Sequence, residues 1–156
     1  MSVNVLCVGR IKEKYLSDGI AEYAKRLSRF CKFNVIEVGE ELSRKEGKAE
    51  TEEVKRKEGE RLAGKIKGYA VALAIDGEPL SSEGFARRLD TLASKGVSEI
   101  TFIIGGSNGL SEQVLDAADM KLSFGAMTYP HQLMRLILAE QVYRAFMING
   151  GGTYHK

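Results

Sequence analysis

Apolar and polar positions alternate between two periods along the chain. Residues 3–8 are rich in β-branched side chains and stop at Gly9, the pattern of a buried strand. Residues 12–30 carry Tyr15, Leu16, Ile20, Tyr23, Ala24 and Leu27 at helical spacing. Residues 33–38 form a second strand-like run ending at Gly39. Residues 69–75 and 100–104 are continuous apolar runs, cut by Asp76-Gly77 and by Gly105-Gly106 respectively. Between them, residues 82–94 read as a helix with Ser81 or Ser82 as cap. Ser111 opens a short helix through Ala118, with Glu112 in its first turn. Residues 120–124 predict a last short strand, and Pro130 is placed as the first residue of a long helix over 131–148. The end of the chain, from Asn149, reads as loop.

The charged middle behaves differently. Residues 40–51 hold almost no apolar side chain beyond Leu42 and Ala49, which predicts an exposed loop. Residues 50–66 mix signs at helical offsets (Glu52 with Arg56, Glu53 with Lys57) around Val54, Leu62 and Ile66, as expected of a solvated helix. The order is therefore β-α-β-α-β-α-β-α-β-α over one domain, residues 1–156. Such alternation predicts an α/β fold with a largely parallel sheet and helices on both faces. Ligands then bind outside the carboxyl ends of the strands. Every predicted strand meets glycine there, although turn chemistry alone explains most of those glycines.

Composition narrows the class. A chain of 156 residues with 44% hydrophobic and 28% charged residues is neither disordered nor a disulfide scaffold. No apolar run is long enough to span a bilayer and the N-terminus lacks a basic leader, so a cytoplasmic protein with no membrane partner is expected. Twenty-three basic against 21 acidic residues leave a net charge of +2, which neither announces a nucleic-acid binder nor excludes one. Cys7 and Cys31 lack metal spacing, and no metal site is expected.

Chemistry concentrates in the C-terminal half. Gly105-Gly106-Ser107-Asn108-Gly109-Leu110 follows a strand and precedes a helix. It lacks both the dinucleotide fingerprint and the Lys-Ser/Thr of a phosphate loop, which disfavours nucleotide phosphate chemistry. Phe124-Gly125-Ala126-Met127-Thr128-Tyr129-Pro130-His131 offers small residues and free main chain, suited to a flat ligand such as adenine. On the terminal helix, His131 and Arg135 share one side and Glu140 and Arg144 another. A capping histidine and an ordinary surface ion pair are the plain alternatives. A Tyr-His-Lys end after three glycines offers a ring, an imidazole and a cation, useful at an RNA base, where the alternative is a frayed terminus.

In combination these segments, with residues 122–124, 127–135, 140–145 and 154–156 and the N-terminal stretches 8–15 and 22–27, closely resemble the bacterial ribosomal RNA large subunit methyltransferase H family. The likeness covers nearly the whole chain; residues 40–51 are the part without a match. The resemblance implies a minimal SPOUT-class fold with a C-terminal trefoil knot, which sequence physics would never propose because knots are nearly absent from proteins. It implies a homodimer that uses S-adenosylmethionine to methylate N3 of a pseudouridine in 23S ribosomal RNA of the assembled ribosome. Carried over by position, cofactor contacts fall on Leu73, Gly105, Phe124, Gly125, Ala126, Met127, Thr128 and Tyr129. Residues tied to RNA and catalysis fall on Arg144, Tyr154 and His155. His155 is then a candidate proton acceptor, directly or through water, and Arg144 a stabiliser of the anionic base or a phosphate grip. Lys12, Lys14, Lys25, Arg26 and Arg29 are placed to track phosphates. Two competing readings are a flavodoxin-like or nucleotide-binding regulatory module and an RNA-binding ribosome assembly factor without chemistry.

Overall fold

A computed structural model describes residues 1–154. Five strands, β1 (Ser2–Val8), β2 (Lys32–Val38), β3 (Tyr69–Pro79), β4 (Glu99–Ile104) and β5 (Met120–Ser123), form one sheet in the order β2-β1-β4-β3-β5. Every paired neighbour is parallel. The five helices are α1 (Lys14–Leu27), α2 (Lys48–Ala63), α3 (Ser82–Ser94), α4 (Glu112–Ala117) and α5 (His131–Asn149). Ser81 and Ser111 cap α3 and α4, accepting the N–H groups of Gly84 and Val114.

Strand side chains alternate between two cores, as a sheet covered on both faces requires. Val3, Val5, Phe102 and Val71 pack with Leu27 of α1, Phe85 of α3 and Leu138 of α5. Leu6, Val8, Ile103 and Ala72 pack on the other face with Leu62 of α2 and Val114 of α4. Cys7 and Cys31 are buried free thiols, and burial raises both to about 11.

Several boundaries differ from the sequence reading. β3 does not stop at Asp76-Gly77. It loops out after Leu73 and re-pairs at Glu78, both residues facing Leu122 of β5. A methyl on Gly77 would lie 2.8 Å from the main chain of Lys121, so the glycine permits close strand approach rather than ending the strand. The charged loop ends at Gly47, since good helix formers at 48–50 extend α2 backwards. Its internal ion pairs run Glu52–Lys55, Glu53–Arg56 and Arg56–Glu60, not Glu52–Arg56 or Glu53–Lys57. α2 is also not simply a solvated helix, because it buries Glu58 and Gly59 beside Val54 and Leu62, and Ile66 lies beyond its end. Pro130 is the residue before α5, not its first.

Arg135 is 1% exposed, the largest fully buried side chain. It pairs with Glu37 at 2.8 Å and donates to the carbonyls of Val8 and Gly9, pinning α5 to the end of β1. Removing it strands two inward carbonyls, so Arg135→Met is expected to lower unfolding free energy by about 2–4 kcal/mol. Urea denaturation with an unchanged slope checks this, and a loss under 1 kcal/mol contradicts it.

Candidate active site

The carboxyl ends of β3, β4 and β5 converge on one cleft. After β4, the chain turns back on itself: Gly109 N–H donates to the Gly106 carbonyl at 3.0 Å, and Gly109 has φ +83°. A methyl on Gly105 would lie 2.7 Å from the Gly109 carbonyl carbon, and one on Gly106 would lie 3.0 Å from the Glu58 carboxylate. Gly105 is required by main-chain packing inside the loop, whereas Gly106 abuts a side chain of α2 that can shift. Glu58 is 4% exposed and accepts the Glu41 N–H at 3.1 Å. Burial raises its pKa above the ordinary carboxylate range.

After β5, Ser123 organises the opposite wall. Its hydroxyl donates to the Ile75 carbonyl at 2.9 Å and accepts the Gly125 N–H at 3.0 Å. Gly125 has φ +106°, a backbone conformation that only glycine adopts without strain. From Ala126 to Tyr129 the chain is neither helix nor strand. Among the described residues, no hydrogen bond inside the protein uses the main-chain N–H groups of these four residues. They remain available to a ligand.

The cleft is open to solvent and has a volume of about 660 Å³. Of the residues expected at a cofactor, Leu73, Gly105, Phe124, Gly125, Met127, Thr128 and Tyr129 line it. Ala126 belongs to the same turn and does not. Sequence reasoning did not single out Ile104, Leu122 and Met134 as wall residues; Leu110 and His131, which closed the two segments offered to a ligand, are wall residues too. Their positions at strand ends and on the first turn of α5 were the available signal. Apolar walls, exposed main chain and a volume within the range of small-molecule sites suit an adenosine-bearing ligand. A wider hollow of about 930 Å³ lies at the other edge of the sheet, around Met1, Arg29 and Glu99. It sits at strand amino ends and lacks exposed glycine-loop main chain, so the cleft is the stronger site. No group of acidic, histidine or cysteine side chains with metal-binding geometry occurs among the described residues.

A second polar cluster sits further along α5. Arg144 bonds to Glu140 and stands over the Tyr154 ring, 4.9 Å from its centroid. Tyr154 O–H donates to Glu140 at 3.2 Å and lies 3.3 Å from the Tyr23 hydroxyl, while its ring meets Tyr143 edge-on at 4.9 Å. The hydrogen bond that its guanidinium donates to Glu140 raises the Arg144 pKa. Burial, with the Tyr23 and Glu140 contacts, pushes the Tyr154 phenol well above its usual range. The plain surface pair expected for Glu140–Arg144 is therefore the base of a half-buried aromatic cluster. The tail through Tyr154 is not frayed: Gly152 N–H donates to the Met147 carbonyl at 2.8 Å and Gly151 has φ +74°, turning the chain back onto α5. His155 lies outside the described residues.

Arg144 and Tyr154 do not reach the cleft of their own chain. Met134 lines the cleft and Arg144 follows ten residues later, about 15 Å further along the helix. The two opposed polar sites anticipated on α5 are thus real, but Arg135 on the first is structural.

Comparison with known proteins shows the family and the fold. Residues 1–155 match the family model for predicted SPOUT methyltransferases. Ribosomal RNA large subunit methyltransferase H from Ligilactobacillus salivarius is 57% identical over the full length of both chains. The proteins of the same name from Lactiplantibacillus plantarum and Leuconostoc mesenteroides are 56% and 50% identical, again over full length. Among solved structures, a probable methylase family protein from Haemophilus influenzae superposes with a TM-score of 0.55 at 9% identity, covering 99% of this chain and 70% of that one. A putative methyltransferase from Legionella pneumophila, solved with bound SAM, gives 0.51 at 9% identity, covering 94% and 66%. These structures share the fold.

Proposed function

The chain belongs to the SPOUT methyltransferase family, and from that premise we propose that it methylates N3 of a pseudouridine in 23S ribosomal RNA of the assembled ribosome, as a cytoplasmic homodimer. The observation that carries this reading is the cleft at the ends of β3, β4 and β5, where the main-chain N–H groups from Ala126 to Tyr129 bond to nothing among the described residues. The trefoil knot is assigned to the C-terminal half on the strength of family membership.

S-adenosylmethionine supplies an electrophilic methyl group on a positively charged sulfur. Leu73, Leu122 and Met134 offer an apolar slot for its adenine, and the main chain at 126–129 offers donors for its polar edges. Ala126 is retained as part of that donor run. Gly105 keeps the opposite wall close. Orientation in such a slot supplies much of the rate in an in-line transfer.

Arg144, far along α5, and Tyr154, folded back beside it, do not line the cleft of their own chain. A second copy resolves this by presenting its tail to the first chain's cleft. Exposed apolar side chains at the rim, Met127 at 77% and Ile75 at 60%, are the kind of surface that such a copy covers. Arg144, held charged and aimed by Glu140, favours the anionic form of the base or grips a phosphate. Lys12, Lys14, Lys25, Arg26 and Arg29 add a phosphate track on and beside α1. Recognition of RNA with so small a net charge suits a substrate presented by a large particle.

Two measurements test this. Calorimetry is expected to show binding of S-adenosylmethionine and S-adenosylhomocysteine and none of ATP, NAD or FMN. Incubation with ribosomes and methyl-labelled donor is expected to label 23S RNA at one pseudouridine. Donor binding without any transfer to ribosomes, subunits or free RNA contradicts the reading.

A further inference from the structure

We infer that His131 is the proton acceptor for the target base, acting from the same chain that binds the methyl donor. The inference rests on the function proposed above and adds a role on the cleft's own wall. His131 is the first residue of α5 and lines the cleft beside Thr128, Tyr129 and Met134. It is the sole imidazole among the described residues, and the second histidine of the sequence is His155. Among the described residues, the cleft walls otherwise carry no titratable side chain except the Tyr129 phenol.

The surroundings keep the ring neutral. The helix amino terminus disfavours a positive charge. Arg135 stands one turn along the same helix, and Lys12 approaches from the β1–α1 connection; Glu40, from the β2–α2 connection, opposes them. Burial, then Arg135 and Lys12, lower the His131 pKa below 6.5, and Glu40 offsets only part of this. An unprotonated ring nitrogen is therefore available at neutral pH.

The step balances as follows. The N3 proton passes to a ring nitrogen of His131 and the electron pair of that N–H bond stays on N3. That pair forms the new N–C bond, and the pair of the broken carbon–sulfur bond stays with sulfur. His131 then releases its proton to solvent. Arg144 from the partner stabilises the charge that develops on the base, and His131 takes the proton, so the two roles are separate. The sign of the pH effect follows. The neutral ring is the active form, so the rate falls as pH drops through the His131 pKa.

The test combines a titration with kinetics. In the free protein, imidazole C–H resonances, assigned with His131→Asn and His155→Ala, are expected to give His131 a pKa below 6.5. The wild-type single-turnover rate on ribosomes is expected to show an acid limb at the same value. His131→Asn and His131→Gln are expected to lose about 100- to 10,000-fold in rate together with that acid limb. Their S-adenosylhomocysteine affinity and melting temperature stay near wild type. The inference is overturned if either variant keeps its rate within threefold, if donor affinity falls in proportion to rate, or if His131 titrates above 6.5. Should neither variant fold, a mismatch of more than one pH unit between the wild-type resonance and rate titrations overturns it, and agreement supports it. Wild-type protein that transfers nothing removes the proposed function and this inference together; wild-type transfer with unaffected variants removes only the inference.

Discussion

Replacing Arg144 with alanine is expected to lower methyl transfer to ribosomes by about 100- to 1,000-fold, the cost of losing one preorganised charge-stabilising group. S-adenosylhomocysteine affinity should stay within about twofold of wild type. The split follows from geometry. Arg144 contacts Glu140 and the Tyr154 ring, and it does not line its own chain's cleft. Tyr154 still donates to Glu140 once the guanidinium is gone, so the tail keeps its anchor. Arg144→Lys keeps the charge but loses the flat guanidinium over the ring, and an intermediate rate is expected. Single-turnover transfer and calorimetry on the same preparations check both halves. Parallel loss of donor affinity would place Arg144 at the donor rather than at the RNA.

Gly105→Val is expected to weaken donor binding at least 100-fold, about 2.7 kcal/mol. A side chain at this position begins 2.7 Å from the carbonyl carbon of Gly109 and 3.0 Å from the Leu110 nitrogen, both main chain. The loop must open, and its opening deforms the wall shared with Ile104 and Leu110. The neighbouring Gly106→Ala is the control. Its methyl meets the Glu58 carboxylate at 3.0 Å, an atom that can shift, so a smaller loss is expected. Donor titration of the two variants decides the order. Near-wild-type affinity in Gly105→Val contradicts the assignment of the cleft.

The strands and α5 were legible because each depends on local periodicity. Residues 3–8 and 100–104 are buried on both faces and read as continuous apolar runs, and α5 announces itself by its length and by Pro130. The excursion of β3 was not legible, because Asp76-Gly77 is also the ordinary signal for a turn; only the pairing of Leu73 and Glu78 with one residue of β5 distinguishes the two. Arg135 shows the same limit. Its helical position gave its direction, while its burial depends on Glu37 and on the end of β1, more than ninety residues away. Glu58 sits in a run of charge that hides its contact with Gly106. The candidate cofactor residues were reachable through family likeness and their position at strand ends, whereas the cleft's apolar floor came only from the folded chain. The set of the tail was not legible, since three glycines read as loop but fold back as hydrogen-bonded turns on Met147 and Ile148.

Mixed dimers test the composite site most directly. Arg144→Ala chains and Gly105→Val chains are each expected to be inactive as homodimers, one lacking the RNA-facing cation and the other the donor cleft. Allowed to exchange subunits, they form dimers in which an intact cleft meets an intact partner tail. With random exchange half the dimers are mixed and each holds one complete site of two, so transfer to ribosomes should return to about a quarter of wild type. A mixture as inactive as its parents, with exchange confirmed by mass, would show that cleft and tail do not meet across two chains.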